Sequence, residues 1–235
     1  MLDRIEVWWT ALDVAESTLA ALLSADEQER AARFAFERDR RRFIVAHGTL
    51  RAILADYVGC APRALRFERE ASGRPRLAGA HNPDALDFNL AHSHEVAVYA
   101  IAYRRRLGID LEYVRPIDDL TGLARVAFSA AEQASLAALP PAERLGRFFD
   151  CWTCKEAYVK ARGDGLSAPL QAFDIALDGD ESPALRAHRL DPGEVERWWF
   201  ERLAVAPGHV AALCAQAPPT TVAVQRWPPP GEHAG

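Results

Sequence analysis

Two stretches of this chain repeat each other at an offset of 105 residues. "SADEQ" at 24–28 returns as "SAAEQ" at 129–133, and the Arg-Phe pair at 42–43 returns at 147–148. Ala32 with Ala137 and Ala52 with Ala157 keep the same step. In each copy a serine stands three residues before a glutamate, Ser24/Glu27 and Ser129/Glu132. That pattern is a capping box, which satisfies free N–H groups at a helix start. Upstream, "IEV" at 5–7 resembles "IDL" at 109–111. A duplicated chain folds as two similar lobes, and a cleft between such lobes is where ligand sites often form.

At 235 residues the chain is long enough for two small lobes around a shared core. Hydrophobic patterning predicts strands at 4–10 and 108–114, "ALRFERE", "DFNLA", "EVAVYAIAY" and "FDIAL", and a hairpin of "RWWFERLAV" with "HVAALCAQ". Helices are predicted from Ser24 and Ser129, and at about 39–58 and 143–162, each long one stopped by a glycine. The fold class is therefore α+β: two similar lobes forming a pseudo-dimer, each a small, mainly antiparallel sheet packed on helices. Residues 1–105 form the first lobe, 106–217 the second, and the proline-rich tail 218–235 is expected to be disordered.

A formal charge of −5 argues against general nucleic-acid binding. No stretch approaches the roughly 20 apolar residues of a membrane span, and "MLDRIEVWW" lacks a secretory pattern. A cytoplasmic protein is expected, without membrane partners, and a monomer because one chain supplies both lobes. Cys151 and Cys154 form a C-x-x-C, but "RLGRFFD" before them already reads as helix, so they are read as packing residues.

The chemistry concentrates in three segments. In the 108–114 strand, Asp110 and Glu112 share one face while Ile109, Leu111 and Tyr113 take the other. Like charges so placed call for a cation. On the 143–162 helix, Glu156 and Lys160 are four apart, with Lys155 beside them, all toward the margin of a packed stripe. In "FNLAHSH", His92 and His94 read as turn residues, with a zinc pair as the alternative. Carboxylates without thiolate or imidazole partners suit a hard ion such as Mg²⁺, held together with substrate phosphates.

In this order, "GRPRL" (73–77), "FNLAHS" (88–93), "GIDLE" (108–112) and "WTCKEAYVK" (152–160) resemble the 4′-phosphopantetheinyl transferases of the surfactin-synthetase-activating type. The resemblance covers about residues 5–216 and implies the two-lobed fold of that family. It implies transfer of the phosphopantetheine arm of coenzyme A to a serine of an apo acyl, peptidyl or aryl carrier protein, with release of adenosine 3′,5′-bisphosphate. It also implies roles: Asp110, Glu112 and Glu156 would hold Mg²⁺, or alternatively Mn²⁺. Glu156 would act as base, directly or through a metal-bound water, and Lys160 would neutralise the pyrophosphate. Arg42, Arg74, His92, Ser93, Asp110, Lys155 and Lys160 would contact coenzyme A, and the arginine run at 38–42 would equally suit an acidic carrier. One departure stands out: the family's Ser-His-Ser is Ala91-His92-Ser93 here, so a phosphate contact is expected to be lost at Ala91 or replaced by a backbone N–H or Ser93. The rival classes are a Mg²⁺-dependent pyrophosphate hydrolase and a non-catalytic docking module.

Overall fold

The computed structural model describes residues 4–82, 84–165, 168–177, 182–219 and 221–228. The first lobe runs β1 (Arg4–Ala11), α1 (Ser17–Ala20), α2 (Ala25–Ala32), α3 (Glu37–Val58), the hairpin β2 (Phe67–Arg69) and β3 (Pro75–Leu77), then β4 (Leu86–Ser93) and β5 (Val96–Tyr103). The second runs β6 (Leu107–Tyr113), α4 (Leu120–Ala127), α5 (Ala130–Ala138), α6 (Pro141–Arg162), the hairpin β7 (Phe173–Ala176) and β8 (Ala184–His188), then β9 (Trp198–Leu203) and β10 (His209–Gln216). A last strand, β11 (Thr221–Arg226), follows. The sheet order β1-β5-β4 in one lobe is repeated as β6-β10-β9 in the other, all antiparallel.

The duplication extends to the capping chemistry. Ser24 and Ser129 both complete their capping boxes. Both long helices run 22 residues and end on a left-handed glycine, Gly59 at φ 71° and Gly163 at φ 77°. Each capping-box glutamate also grips a buried cation. Arg51 Nε donates to Glu27 Oε2 at 2.5 Å and lies over the Phe67 ring. In the second lobe, Lys155 Nζ donates to both oxygens of Glu132 at 2.7 and 2.8 Å and lies over Phe173. In both lobes this latch ties the long helix to the short helix before it and to the hairpin after it.

Strand alternation makes the core. On β5, Ala97, Tyr99 and Ile101 face the first lobe's own core with Phe43, Leu50, Leu54 and Phe88 of that lobe. Val96, Val98, Ala100 and Ala102 face the other way. They meet Leu107, Ile109 and Leu111 of β6 and Leu213 and Ala215 of β10, so the lobes are joined by one dry sheet-to-sheet core. The opposite face of β10 packs on Cys154, Tyr158 and Phe173. Burial pushes the Cys151 and Cys154 thiols up, as expected of packing residues.

The tail departs from expectation. Thr221–Arg226 is ordered as β11, paired parallel with β1 from Arg4↔Thr221 to Trp9↔Arg226. Its "TVAVQR" pattern suits an edge strand, and the prolines that suggested disorder flank it; residues 229–235 of the tail lie outside the described residues.

Candidate active site

The period of two along β6 sends Gly108, Asp110 and Glu112 toward α6. Gly108 is what lets the helix approach. A Cβ there would stand 2.2 Å from the Ala157 carbonyl oxygen and 2.4 Å from the Ala161 nitrogen. With helix backbone on strand backbone, Lys160 Nζ reaches Asp110 Oδ1 at 2.6 Å. Asp110 is only 6% exposed, and its Oδ2 is buried with no hydrogen-bond partner among the described residues. Glu156 lies one turn earlier on the same helix.

On the other side of β6, β4 contributes a ladder of side chains. Asp87 Oδ2 accepts from the Leu107 N–H at 3.1 Å, Asn89 Oδ1 from Ile109 N–H at 2.9 Å, and Ser93 Oγ from Tyr113 N–H at 3.1 Å. Ser93 Oγ then donates to Glu112 Oε2 at 2.9 Å. Residue 91 belongs to the same face as 87, 89 and 93. Ala91 is accordingly buried in the core between the sheets, and the exposed His92 points the opposite way. Position 91 therefore looks at β6, where an alanine packs and offers no polar contact. His94 makes the turn after β4 with φ 54° and stacks on Tyr113.

The carboxylates strain against one another. Burial pushes Asp110 up to about 6, partly countered by Lys160, while Glu156 and Glu112 push it further up. Glu156 is also raised, by burial first and by Glu112, with Lys160 opposing. Among the described residues, no three His, Cys, Asp or Glu side chains are gathered closely enough to ligate one ion as they stand. What they offer is a set of oxygen donors short of positive charge, with one buried acceptor unused. That fits a hard divalent cation.

Two expected ligand contacts, at Lys155 and Arg74, are structural instead, and Ser93 and Arg42 are paired within the chain. Lys155 is 0% exposed and donates to Glu132 and to the Phe173 carbonyl, so it cannot meet phosphate or carrier. Arg74 is buried, its guanidinium committed to Asp87 and to the carbonyls of Phe88, Leu107, Lys160 and Ala161. Ser93 has its hydroxyl proton on Glu112. Arg42 makes a two-point pair with Asp13 at 2.8 and 2.7 Å. Its charge, after desolvation and the charge of Lys160, helps to hold the His92 imidazole below its ordinary value.

Sequence reasoning missed the cleft of about 830 Å³ between α2, α3 and the β2–β3 hairpin. Its walls carry Arg30, Arg63, Arg66, Arg69 and His47, with Leu90 of β4 at its margin. Desolvation pushes His47 down to about 4, and the nearby His92 contributes. The charge of His92 is thus felt at His47 of the cleft, and that of Lys160 at His92.

Both halves of the chain match known proteins. Residues 106–214 match the family profile described as 4′-phosphopantetheinyl transferase superfamily, and 8–104 match 4′-phosphopantetheinyl transferase, N-terminal. The chain belongs to the 4′-phosphopantetheinyl transferase superfamily and is a transferase of that class. It is 44% identical over 187 residues to the 4′-phosphopantetheinyl transferase HetI of a Nostoc species, covering 78% of each chain. It is 27% identical over 198 residues to the 4′-phosphopantetheinyl transferase Sfp of Bacillus subtilis, covering 84% of each. A holo-[acyl-carrier-protein] synthase structure from Thermotoga maritima superposes on 48% of this chain and 62% of its own, with a TM-score of 0.39 at 19% identity.

Proposed function

We propose that this chain moves the 4′-phosphopantetheine arm of coenzyme A onto a serine of an apo acyl or peptidyl carrier protein, in a Mg²⁺-dependent reaction. The observation that carries the reading is the buried, unpartnered Asp110 Oδ2, set beside Lys160 and in the field of Glu112 and Glu156. The arginine-rich cleft would suit the nucleotide end of coenzyme A, and His92 matches the histidine with which the family grips the 3′-phosphate.

The chemistry follows from what each side chain can do. The carrier serine's oxygen bonds to the phosphorus bearing the pantetheine arm. The diphosphate bridge breaks, and its electron pair leaves on adenosine 3′,5′-bisphosphate. Glu156 accepts the serine proton; its raised pKa makes it a stronger base than an exposed carboxylate. Lys160 turns from Asp110 to the diphosphate and meets the charge on the departing phosphate. Bound Mg²⁺, held by Asp110, Glu112 and Glu156, would neutralise the diphosphate charge. Ser93 keeps Glu112 oriented from behind.

Mass spectrometry of apo carrier proteins mixed with this protein, coenzyme A and MgCl₂ tests the reading. The expected result is one added phosphopantetheine per carrier, lost on adding EDTA. Release of adenosine 3′,5′-bisphosphate at the same rate without any carrier would make the protein a hydrolase and overturn the proposal.

A further inference from the structure

Arg74 occupies the one position where four elements meet. It follows Gly73, whose φ of 87° turns the β2–β3 hairpin inward. Its Nη1 donates to the Lys160 carbonyl at 2.9 Å and to the Ala161 carbonyl at 3.2 Å, both in the last turn of α6. Its Nη2 donates to Asp87 at 2.8 and 2.9 Å, to the Phe88 carbonyl on β4 at 3.1 Å, and to the Leu107 carbonyl at the start of β6 at 2.8 Å. Asp87 in turn accepts from the Leu107 N–H. One buried guanidinium therefore joins the strand bearing His92, the strand bearing Asp110 and Glu112, and the helix bearing Glu156 and Lys160.

The contact with α6 is specific. The carbonyl that Arg74 holds is that of Lys160 itself, whose ammonium stands 2.6 Å from Asp110. The last carbonyls of a helix have no partner within the helix; Arg106 Nε takes the Ala161 carbonyl at 2.9 Å together with Arg74, and Arg74 is the donor to the Lys160 carbonyl. The planar arginine fork, with five donors against the three of an ammonium, is suited to meet α6, β4 and β6 together.

We infer that Arg74, seated on Asp87 in the first lobe, is a positioning residue that sets Lys160 and Glu156 of the second lobe's long helix against Asp110 and Glu112 of its first strand. It replaces the phosphate-gripping role that the Gly-Arg-Pro motif suggests for it, and it rests on the transferase reading above. Its effect falls on kcat, because a helix displaced by a fraction of an ångström still leaves the arginine-rich cleft intact for the nucleotide.

The test compares coenzyme A with 3′-dephospho-coenzyme A, each with an apo acyl carrier protein, in Arg74→Met, Arg74→Lys and Asp87→Asn. The expected result is a fall in kcat of about ten- to a hundred-fold for Arg74→Met, equal for both nucleotides, with KM held within about threefold. Arg74→Lys should recover part of the loss, since it keeps the charge on Asp87 but reaches fewer carbonyls. Two results overturn the inference: a loss confined to the KM for coenzyme A and absent with the dephospho form, or folded variants that keep the wild-type kcat. Should Arg74→Met not fold, the same comparison in Arg74→Lys and Asp87→Asn decides. A wild-type protein that fails to modify the carrier overturns the transferase reading instead, and so the two failures are distinguishable.

Discussion

The two lobes share a scaffold, yet among the described residues they leave their matching acids in different states. Each presents an acid on its first strand to a donor on the last turn of its long helix. In the first lobe Glu6 accepts from Tyr57 Oη at 2.7 Å and from Gln225 of β11 at 3.3 Å, with the Trp8 indole donating to Tyr57. In the second, Asp110 accepts from Lys160 and keeps one oxygen unpartnered. The edge of β1 is closed by β11, while the edge of β6 faces β4 through the Asp87, Asn89 and Ser93 side chains. An acid at this position is thus inherited by both lobes. What marks the site is an acceptor left without a partner at the junction of the lobes.

The sharpest way to break this comparison is to neutralise both acids. Asp110→Asn should lower the rate of carrier modification by about 10³-fold, as loss of a principal electrostatic group does. Glu6→Gln should leave the rate within about twofold and lower stability by about 1 kcal/mol, the scale of a single hydrogen bond. Glu156→Gln should cost about 10²-fold or more if it is the general base. Equal rate losses for Glu6→Gln and Asp110→Asn, measured as holo-carrier formed per minute, would show that the lobes are not divided in this way.

The latches allow a second comparison. Lys155→Met strands the Glu132 carboxylate in a dry core, and a broken buried pair costs about 3–5 kcal/mol. Lys155→Met combined with Glu132→Gln should regain part of that loss in urea denaturation. Arg51→Met should cost less, because Glu27 retains more access to water than Glu132, at 17% against 4% side-chain exposure. A larger loss at Arg51 would reverse the ranking.

The pH dependence of ion binding separates the lobes further. Asp110 is raised to about 6, so below that pH a proton occupies the carboxylate and must be displaced. Above it no proton competes. Mg²⁺ affinity by titration calorimetry should therefore weaken by up to about tenfold per unit as pH falls below 6. Asp110→Asn should flatten that slope, leaving the part due to the raised Glu156, and Glu6→Gln should leave it in place.

How far the sequence reveals these features depends on the range of the interaction. The caps, the glycine stops and the alternation that pairs Asp110 with Glu112 are local, and they are read correctly from spacing alone. Lys155 and Arg74 are assigned to ligand by the resemblance of their motifs, and the partners that claim them instead are remote: Glu132 and Phe173 for one, Asp87 and the end of α6 for the other. A signal for Lys155 was present, since Glu27, Arg51 and Phe67 recur as Glu132, Lys155 and Phe173 at nearly the repeat offset. No comparable repeat marks Arg74. The helix α4 and the strand β8 were not anticipated. Nor was β11, whose partner lies at the far end of the chain.

The smallest expected effect tests the strand phase that separates the two faces of β4. Position 91 lies between Asn89 and Ser93 on the face that supplies acceptors to alternate N–H groups of β6, and Ala91 has none to offer. Ala91→Ser should therefore supply an oxygen at the level of Leu111, raising stability by about 1 kcal/mol if the hydroxyl finds that N–H. Because His92, and not residue 91, points to the cleft side, the KM for coenzyme A should stay within about twofold. Thermal denaturation and initial rates on the same preparation give both numbers. A fall in KM of about tenfold with no gain in stability would place residue 91 against the ligand, and the assignment of faces along β4 would have to be inverted.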